Sequence, residues 1–366
     1  MIPFFITHIS KDAPNRIQKV LESTFLSEGR LVREFEESLE RRLSIPKAVS
    51  VNSGTSALHL GLVCGGIDEG DEVILPSQTF IASGLTILQQ KAKPVFADIN
   101  YETGNIDPSS IRSKITDRTK AIMPVHWAGY PCDMIEIQAI ADEAGIWVIE
   151  DAAHALGAMY NGHAIGSLSR FSAFSFQAIK HITTGDGGLL ACSDLEDAST
   201  ARQKRWFGID REKSSPSTLG EREYDVNTLG FKYHLNDYSA ALGLANLADL
   251  DWILARRRQI AAKYRTELAQ VGGVTLFELT NDRDSAWWLF SMHVENRMDF
   301  IRALSNRGIP ASVVHQGIHK NSIFLQKNAD LPNQLRFDED QVSIPIHQGL
   351  SDEDVEYIID AINKGW

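Results

Sequence analysis

Cysteine is scarce: Cys64, Cys132 and Cys192 are the only three in 366 residues. An odd number with no CxxC pair offers neither a disulfide framework nor zinc-ligand spacing, and it fits a reducing compartment. No apolar run reaches the roughly 18 residues that a membrane span needs. The opening stretch, MIPFFITHISKDAP, lacks a basic segment, an apolar core and a small-residue cleavage site, so no secretory signal is expected. Basic charge is also in deficit. The chain has 36 Lys and Arg against 48 Asp and Glu, a net charge of −12, and no Lys/Arg cluster stands apart to follow a phosphate backbone. Nucleic acid and membrane are therefore not expected partners, and a cytoplasmic location is. A G-x-G-x-x-G hexapeptide is missing too, which argues against a nicotinamide dehydrogenase.

What remains is an ordinary globular composition, 43% hydrophobic and 23% charged, with length enough for two cores. From about Ser53 to Ser193, short apolar runs alternate with amphipathic stretches, the rhythm of a mostly parallel sheet covered on both faces. Glu72–Leu75, Lys93–Asp98, Ala121–Val125, Ile146–Ile149, Ala173–Phe176 and Leu189–Cys192 read as buried strands. Phe80–Gln89 and Met134–Ala144 carry helical spacing, with Gly145 where a helix would stop. A long helical pattern runs from Asn236 to Leu268, after which the texture changes. We expect a large α/β domain over residues 1–249 and a smaller one over 250–366. Arg211–Arg222, with its Ser-Ser-Pro-Ser run, reads as an exposed loop.

Four pieces of the first domain put polar or glycine-rich groups beyond a strand end, where open α/β sheets bind ligands. Asn52-Ser53-Gly54-Thr55-Ser56-Ala57 opens a helix, whose first N–H groups favour an anion; alone it is equally a helix cap. Glu150-Asp151-Ala152-Ala153-His154 follows a very apolar strand, and a carboxylate there needs a cation or donors, in a site or in a structural ion pair. Lys180 lies between Phe174-Ser175-Phe176-Gln177-Ala178-Ile179 and the glycine-rich Thr183–Gly188. Partial desolvation there would favour the neutral amine that attacks carbonyls. Phe80, in Pro76-Ser77-Gln78-Thr79-Phe80, could cover a flat ring or simply fill the core.

In order and spacing, NSGTSALHL, GDEVILPSQTFIAS, PVFADI, PVHWAGYPCDM, VIEDAAHALGA, FSFQAIKHITTGDGG and SIPIHQGLSDEDV resemble the DegT/DnrJ/EryC/StrS family. The resemblance implies a fold type I aminotransferase that uses pyridoxal 5′-phosphate (PLP). It implies a homodimer with shared active sites, an amino-acid donor, expected to be L-glutamate, and a nucleotide-linked keto-sugar acceptor. The stretch FSFQAIKHITTGDGG is most similar to the subgroup that aminates C-4 of the hexose, such as perosamine synthases. Amination at C-3, or a PLP-binding regulator or sugar dehydratase of the same fold, is the alternative. Carried over, Lys180 matches the lysine linked to the cofactor, Asp151 the carboxylate on its pyridine nitrogen, and His154 a residue near the ring and its 3′-oxygen. Gly54, Thr55, Ser56 and Ser175 match the phosphate-binding region, and Phe80 an aromatic against the ring. At Lys232 many relatives carry asparagine that reaches the phosphate across the dimer interface, and a charged lysine departs from that pattern.

Histidines supply further candidates. His315 and His319 stand four apart, but Gly317 weakens a helix between them and no HExxH follows, so a substrate contact is expected rather than a metal. His126 also follows a strand and is expected to line the pocket, while His181 is equally a structural residue. Arg205 and Arg211, around Trp206, are candidates for nucleotide phosphates.

Overall fold

Two amphipathic helices lead the chain, α1 (Ala13–Ser23) and α2 (Arg30–Leu43), with Val20 on the buried face of the first and Val32, Phe35 and Leu39 on that of the second. The computed structural model describes residues 2–211, 213–326 and 329–366. A seven-stranded sheet follows. It begins with β1 (Lys47–Val51), β2 (Glu72–Pro76), β3 (Lys93–Ala97), β4 (Thr119–Ile122) and β5 (Trp147–Asp151). After a short ribbon, β6 (Met159–Tyr160) with β7 (His163–Ala164), β8 (Phe171–Ser175) and β9 (Gly188–Cys192) complete it. The order is β1-β9-β8-β5-β4-β2-β3. All neighbours from β3 to β8 pair in parallel, and β9 alone runs antiparallel, between β8 and β1. This is the mostly parallel α/β sheet expected from the alternating pattern.

Helices α3 (Gly54–Cys64), α4 (Ile81–Gln89), α5 (Pro108–Lys114), α6 (Met134–Ala144) and α7 (Leu195–Lys204) connect the strands. Alternation along each strand separates two apolar layers: Ile74 and Val148 join Phe35 and Phe174 in one, while Val73, Leu75 and Ile149 join Leu60 and Phe171 in the other. Every residue of β2 is buried, as a strand covered on both faces requires. The expected boundaries of α6 are met, because Gly145 takes the left-handed conformation (φ 65°) that stops a helix at little cost.

Most of the described residues between 211 and 222 are exposed, and a short ribbon pairs β10 (Ser215–Pro216) with β11 (Arg222–Glu223). The single helical pattern read from Asn236 to Leu268 is in fact two helices, α8 (Asp237–Leu247) and α9 (Leu250–Leu268), broken at Ala248-Asp249. Helices α1 and α2 pack on α8. Beyond α9 come β12 (Val274–Leu276), β13 (Arg283–Asp284), β14 (Phe290–Val294), α10 (Arg297–Asn306), α11 (Pro332–Asp340), β15 (Gln341–Ile344) and α12 (Asp352–Asn363). A three-stranded sheet β12-β14-β15 buries Phe290, Met292 and Val342 against Tyr264 and Ile358. Ile2, from the start of the chain, joins that same core. Among the described residues no helix is long and apolar enough to cross a membrane.

Candidate active site

The carboxyl ends of β5 and β8, the loop after β2 and the first turn of α3 converge on a cavity of about 420 Å³. Ser53 starts α3 by accepting a hydrogen bond from the Ser56 amide (3.0 Å), which leaves Ser53, Gly54 and Thr55 on the cavity wall. The first N–H groups of a helix have no partner within it and carry the positive end of its dipole. Residue 54 must be glycine for β8 to come close: a Cβ there would lie 2.9 Å from that of Ser175. Ser175, also on the wall, ends β8.

Strand alternation gives the two acids of β5 different tasks. Glu150 is fully buried and accepts from Ser172 Oγ (2.7 Å), and its other oxygen lies 2.8 Å from His126 Nε2. Asp151 faces the cavity, where its Oδ2 accepts from Ser83 Oγ (2.7 Å) and its Oδ1 from the Ala153 amide (3.2 Å). Burial pushes its carboxyl up, opposed by these two donors and by Lys180.

Lys180 sits in the turn after β8, half-buried, its accessible surface forming part of the cavity wall. Burial pushes its amine down to about 7, with Asp151 pulling the other way. Burial thus favours the uncharged amine, the form that attacks carbonyls. His154, 4% exposed, is held well below the ordinary histidine range by burial and by Lys180, and its Nδ1 has no hydrogen-bond partner among the described residues. Phe80, half-exposed, and His315, pushed down to about 4 by burial and by Lys180, approach each other at 5.2 Å across the wall. In that wall Lys180 is the only Lys or Arg among the described residues.

Other expected residues do not reach the cavity. His126 is completely buried, one nitrogen on Glu150 and the other accepting from the Cys132 amide (3.0 Å), so it braces the sheet instead of lining the pocket. His319 is buried beside Ser77, with Nδ1 2.6 Å from Oγ, and lies within a short 3-10 turn, Ile318–Lys320, that does not include His315. Ser56 donates its hydroxyl to Asn52 (2.7 Å) and serves the helix cap. Lys232 is exposed and lies 3.6 Å over the Trp206 ring, outside its own chain's cavity. Arg205 is a nearly inaccessible ion-pair hub on Glu28 and Glu36, away from the cavity that Lys180 lines, and Arg211 leans on Glu28 and Trp206. His181 bonds the Ala286 carbonyl. Sequence reasoning missed Ser83, Val314 and Trp288, and gave no separate role to Asp186 within the glycine-rich Thr183–Gly188. For Trp288 the adjacent pair Trp287-Trp288, in a chain with seven tryptophans, was an available signal.

Comparison with known proteins gives this geometry a context. Residues 7–363 match the DegT/DnrJ/EryC1/StrS aminotransferase family. The chain is 37% identical to the spore coat polysaccharide biosynthesis protein SpsC of Bacillus subtilis, covering 99% of this chain and 96% of that one. It is 34% identical to GDP-perosamine synthase of Caulobacter vibrioides, over 95% and 94% respectively. The sugar aminotransferase CalS13 of Micromonospora echinospora superposes with a TM-score of 0.95 at 34% identity, covering all of both chains. A putative sugar aminotransferase of Streptococcus pneumoniae, Spr1654, known in PLP and PMP forms, superposes at 0.92 with 29% identity, covering at least 99% of this chain and at least 97% of that one. The cofactor is PLP, and the residues present fit it. The open start of α3 suits a phosphate, Asp151 a protonated ring nitrogen, the unpartnered Nδ1 of buried His154 a polar atom of the ring, and the depressed amine of Lys180 an aldehyde. Fold, cavity and comparisons agree: the chain belongs to the DegT/DnrJ/EryC1/StrS family and is a PLP-dependent sugar aminotransferase.

Proposed function

We propose that this enzyme moves the amino group of L-glutamate onto C-4 of a nucleotide-linked 4-keto-6-deoxyhexose, as a homodimer with shared active sites. One observation carries the reading: an amine that burial lowers to about 7 lines the same cavity as a hydrogen-bonded carboxylate and a buried histidine held well below its ordinary range. When bound, PLP supplies an electron sink for the carbon beside the transferred nitrogen. Asp151, its Oδ2 steadied by Ser83, keeps the ring nitrogen protonated. Lys180 Nζ takes the proton from the donor's Cα in the first half of the reaction and returns one to the sugar carbon in the second, and a pKa near 7 suits both directions. His154, kept uncharged by burial, offers a hydrogen bond beside the ring without adding a competing cation. Phe80, His315 and Trp288 wall the site.

The C-4 position is supported by the run Gln177–Gly185 and by similarity to GDP-perosamine synthase. The homodimer is supported by a charge mismatch. Among the described residues, a phosphate at α3 finds no Lys or Arg on the wall apart from Lys180, while Lys232 stands exposed outside its own cavity, available to a second copy. The test is to offer ¹⁵N-glutamate with a panel of GDP-, dTDP- and UDP-linked 4-keto- and 3-keto-sugars and to read the product carbon by NMR. Nitrogen on C-4 supports the reading, whereas activity on 3-keto-sugars alone replaces it with C-3 amination.

A further inference from the structure

Trp288 enters the site from far along the chain, two residues ahead of β14, and is 1% exposed. Its indole has four polar or ring partners, one of them the Phe5 ring, stacked at 5.3 Å between centres and 24° between planes. Nε1 donates to the Ile179 carbonyl (3.1 Å), next door to Lys180. The ring lies nearly parallel to the His154 imidazole, 3.7 Å between centres and 14° between planes. Lys180 Nζ sits 3.8 Å from the ring centre. The backbone beneath this tryptophan is clamped. Arg257, itself 1% exposed, donates Nη1 to the carbonyl oxygens of Trp287 (3.0 Å), Trp288 (3.3 Å) and Ile346 (2.9 Å). Trp287 adopts a left-handed φ of 51°, a conformation that a bulky residue keeps only where its surroundings impose it. So much fixing around one indole is more than filling space requires.

We infer that Trp288 is a positioning residue for Lys180: its π face holds the free side chain in ammonium form, alongside His154, when the lysine is not bonded to the cofactor. An aromatic face attracts a cation most strongly where water is excluded. Unlike a second carboxylate, it does so without placing a negative charge near a substrate phosphate. The groups facing Lys180 leave this task to the indole. Asp151 favours the ammonium form, but its oxygens are already engaged by Ser83 and Ala153. His154, His315 and His181 are all held in their neutral forms, Lys180 contributing to each. Asp186 lies on the cavity wall, and no contact to Lys180 is seen. Without the indole face, burial would act on Lys180 with only Asp151 against it.

The inference rests on Lys180 being the reacting amine, and its test does not depend on turnover. In the full-length chain stripped of PLP, Trp288 is replaced site-specifically by tryptophans bearing one to four ring fluorines, which weaken the π face while preserving shape and the N–H. The pH dependence of Lys180 acetylation, read from the mass of its peptide, gives the amine's apparent pKa. It should fall step by step with fluorination, by about one unit over the series. Trp288→Leu should lower it at least as far, and Trp288→Phe should keep most of the wild-type value. A constant pKa across the fluorinated series would overturn the inference and leave Trp288 as packing. PLP attached to some other lysine would instead overturn the role of Lys180, a separate failure.

Discussion

Ser83, in the first turn of α4, donates its hydroxyl across 2.7 Å to Oδ2 of Asp151 at the end of β5. The bond joins a helix terminus to a strand terminus and fixes the carboxylate that faces the cofactor site. Asp151→Asn keeps the shape and loses the charge-assisted hydrogen bond, so the glutamate half-reaction should slow about 10²-fold or more with near-normal folding. Ser83→Ala removes one donor and should slow it about tenfold. Stopped-flow absorbance of the cofactor measures both. An Asp151→Asn enzyme working at the wild-type rate with full PLP would return Asp151 to a structural role.

Lys180 gives the pH dependence. Its amine is lowered from 10.5 to about 7, so between those values the folded chain binds fewer protons than the unfolded one. The burial cost of the charged form is present below 7 and vanishes as pH rises toward 10.5. Covalent capture of PLP by stripped protein, followed spectrally, should therefore accelerate about tenfold per pH unit below 7 and level off above it. Acceleration continuing to pH 10 would mean that the lysine is not desolvated.

Arg205 tests the distinction between structure and substrate binding. Its guanidinium, nearly inaccessible, donates to Glu36 (2.6 Å), Glu28 (2.7 Å) and the Ser50 carbonyl (2.8 Å). Arg205→Ala leaves Glu36 buried without its cation and should cost about 3–5 kcal/mol in denaturant unfolding. The folded fraction should keep its KM for the nucleotide sugar, and a selective rise in KM would make Arg205 a substrate contact after all.

Much of this was legible in the sequence, for reasons that can be named. The ends of α6 were readable because helical spacing and a terminating glycine coincide at Ala144-Gly145. The cavity residues Gly54, Phe80, Asp151, Ser175 and Lys180 were readable because each lies at or shortly after a strand end, in a stretch that resembles the family. The break between α8 and α9 was not, since neither Pro nor Gly marks Ala248-Asp249 and the apolar spacing continues through it. Buried Asn246 at the end of α8, donating to the Thr183 carbonyl and accepting from the Ser10 amide, ties the turn to distant segments. The position of His126 depends on Glu150, 24 residues away, which alternation along β5 turns from the cavity. Nothing local to Pro-Val-His-Trp reveals that partner. Trp288 likewise reaches Lys180 only through tertiary packing.

A second copy of the chain is expected to complete each site through Lys232. Lys232→Ala should weaken PLP binding without unfolding the chain, because the side chain is exposed. Co-folding Lys232→Ala with Lys180→Ala chains should produce mixed dimers in which one site is intact, with tighter PLP binding at that site than Lys232→Ala alone shows and activity that Lys180→Ala alone lacks. No recovery on mixing, with mixed dimers verified by mass, would contradict the shared site.

The central claim is that Lys180 is the amine through which this cavity holds and works its cofactor. Borohydride reduction of the PLP-loaded protein, followed by peptide mapping, tests it most directly. The account predicts one pyridoxyl group, on the peptide containing Gln177-Ala178-Ile179-Lys180, and none there in Lys180→Ala. A pyridoxyl group on any other lysine of the wild-type protein would contradict it.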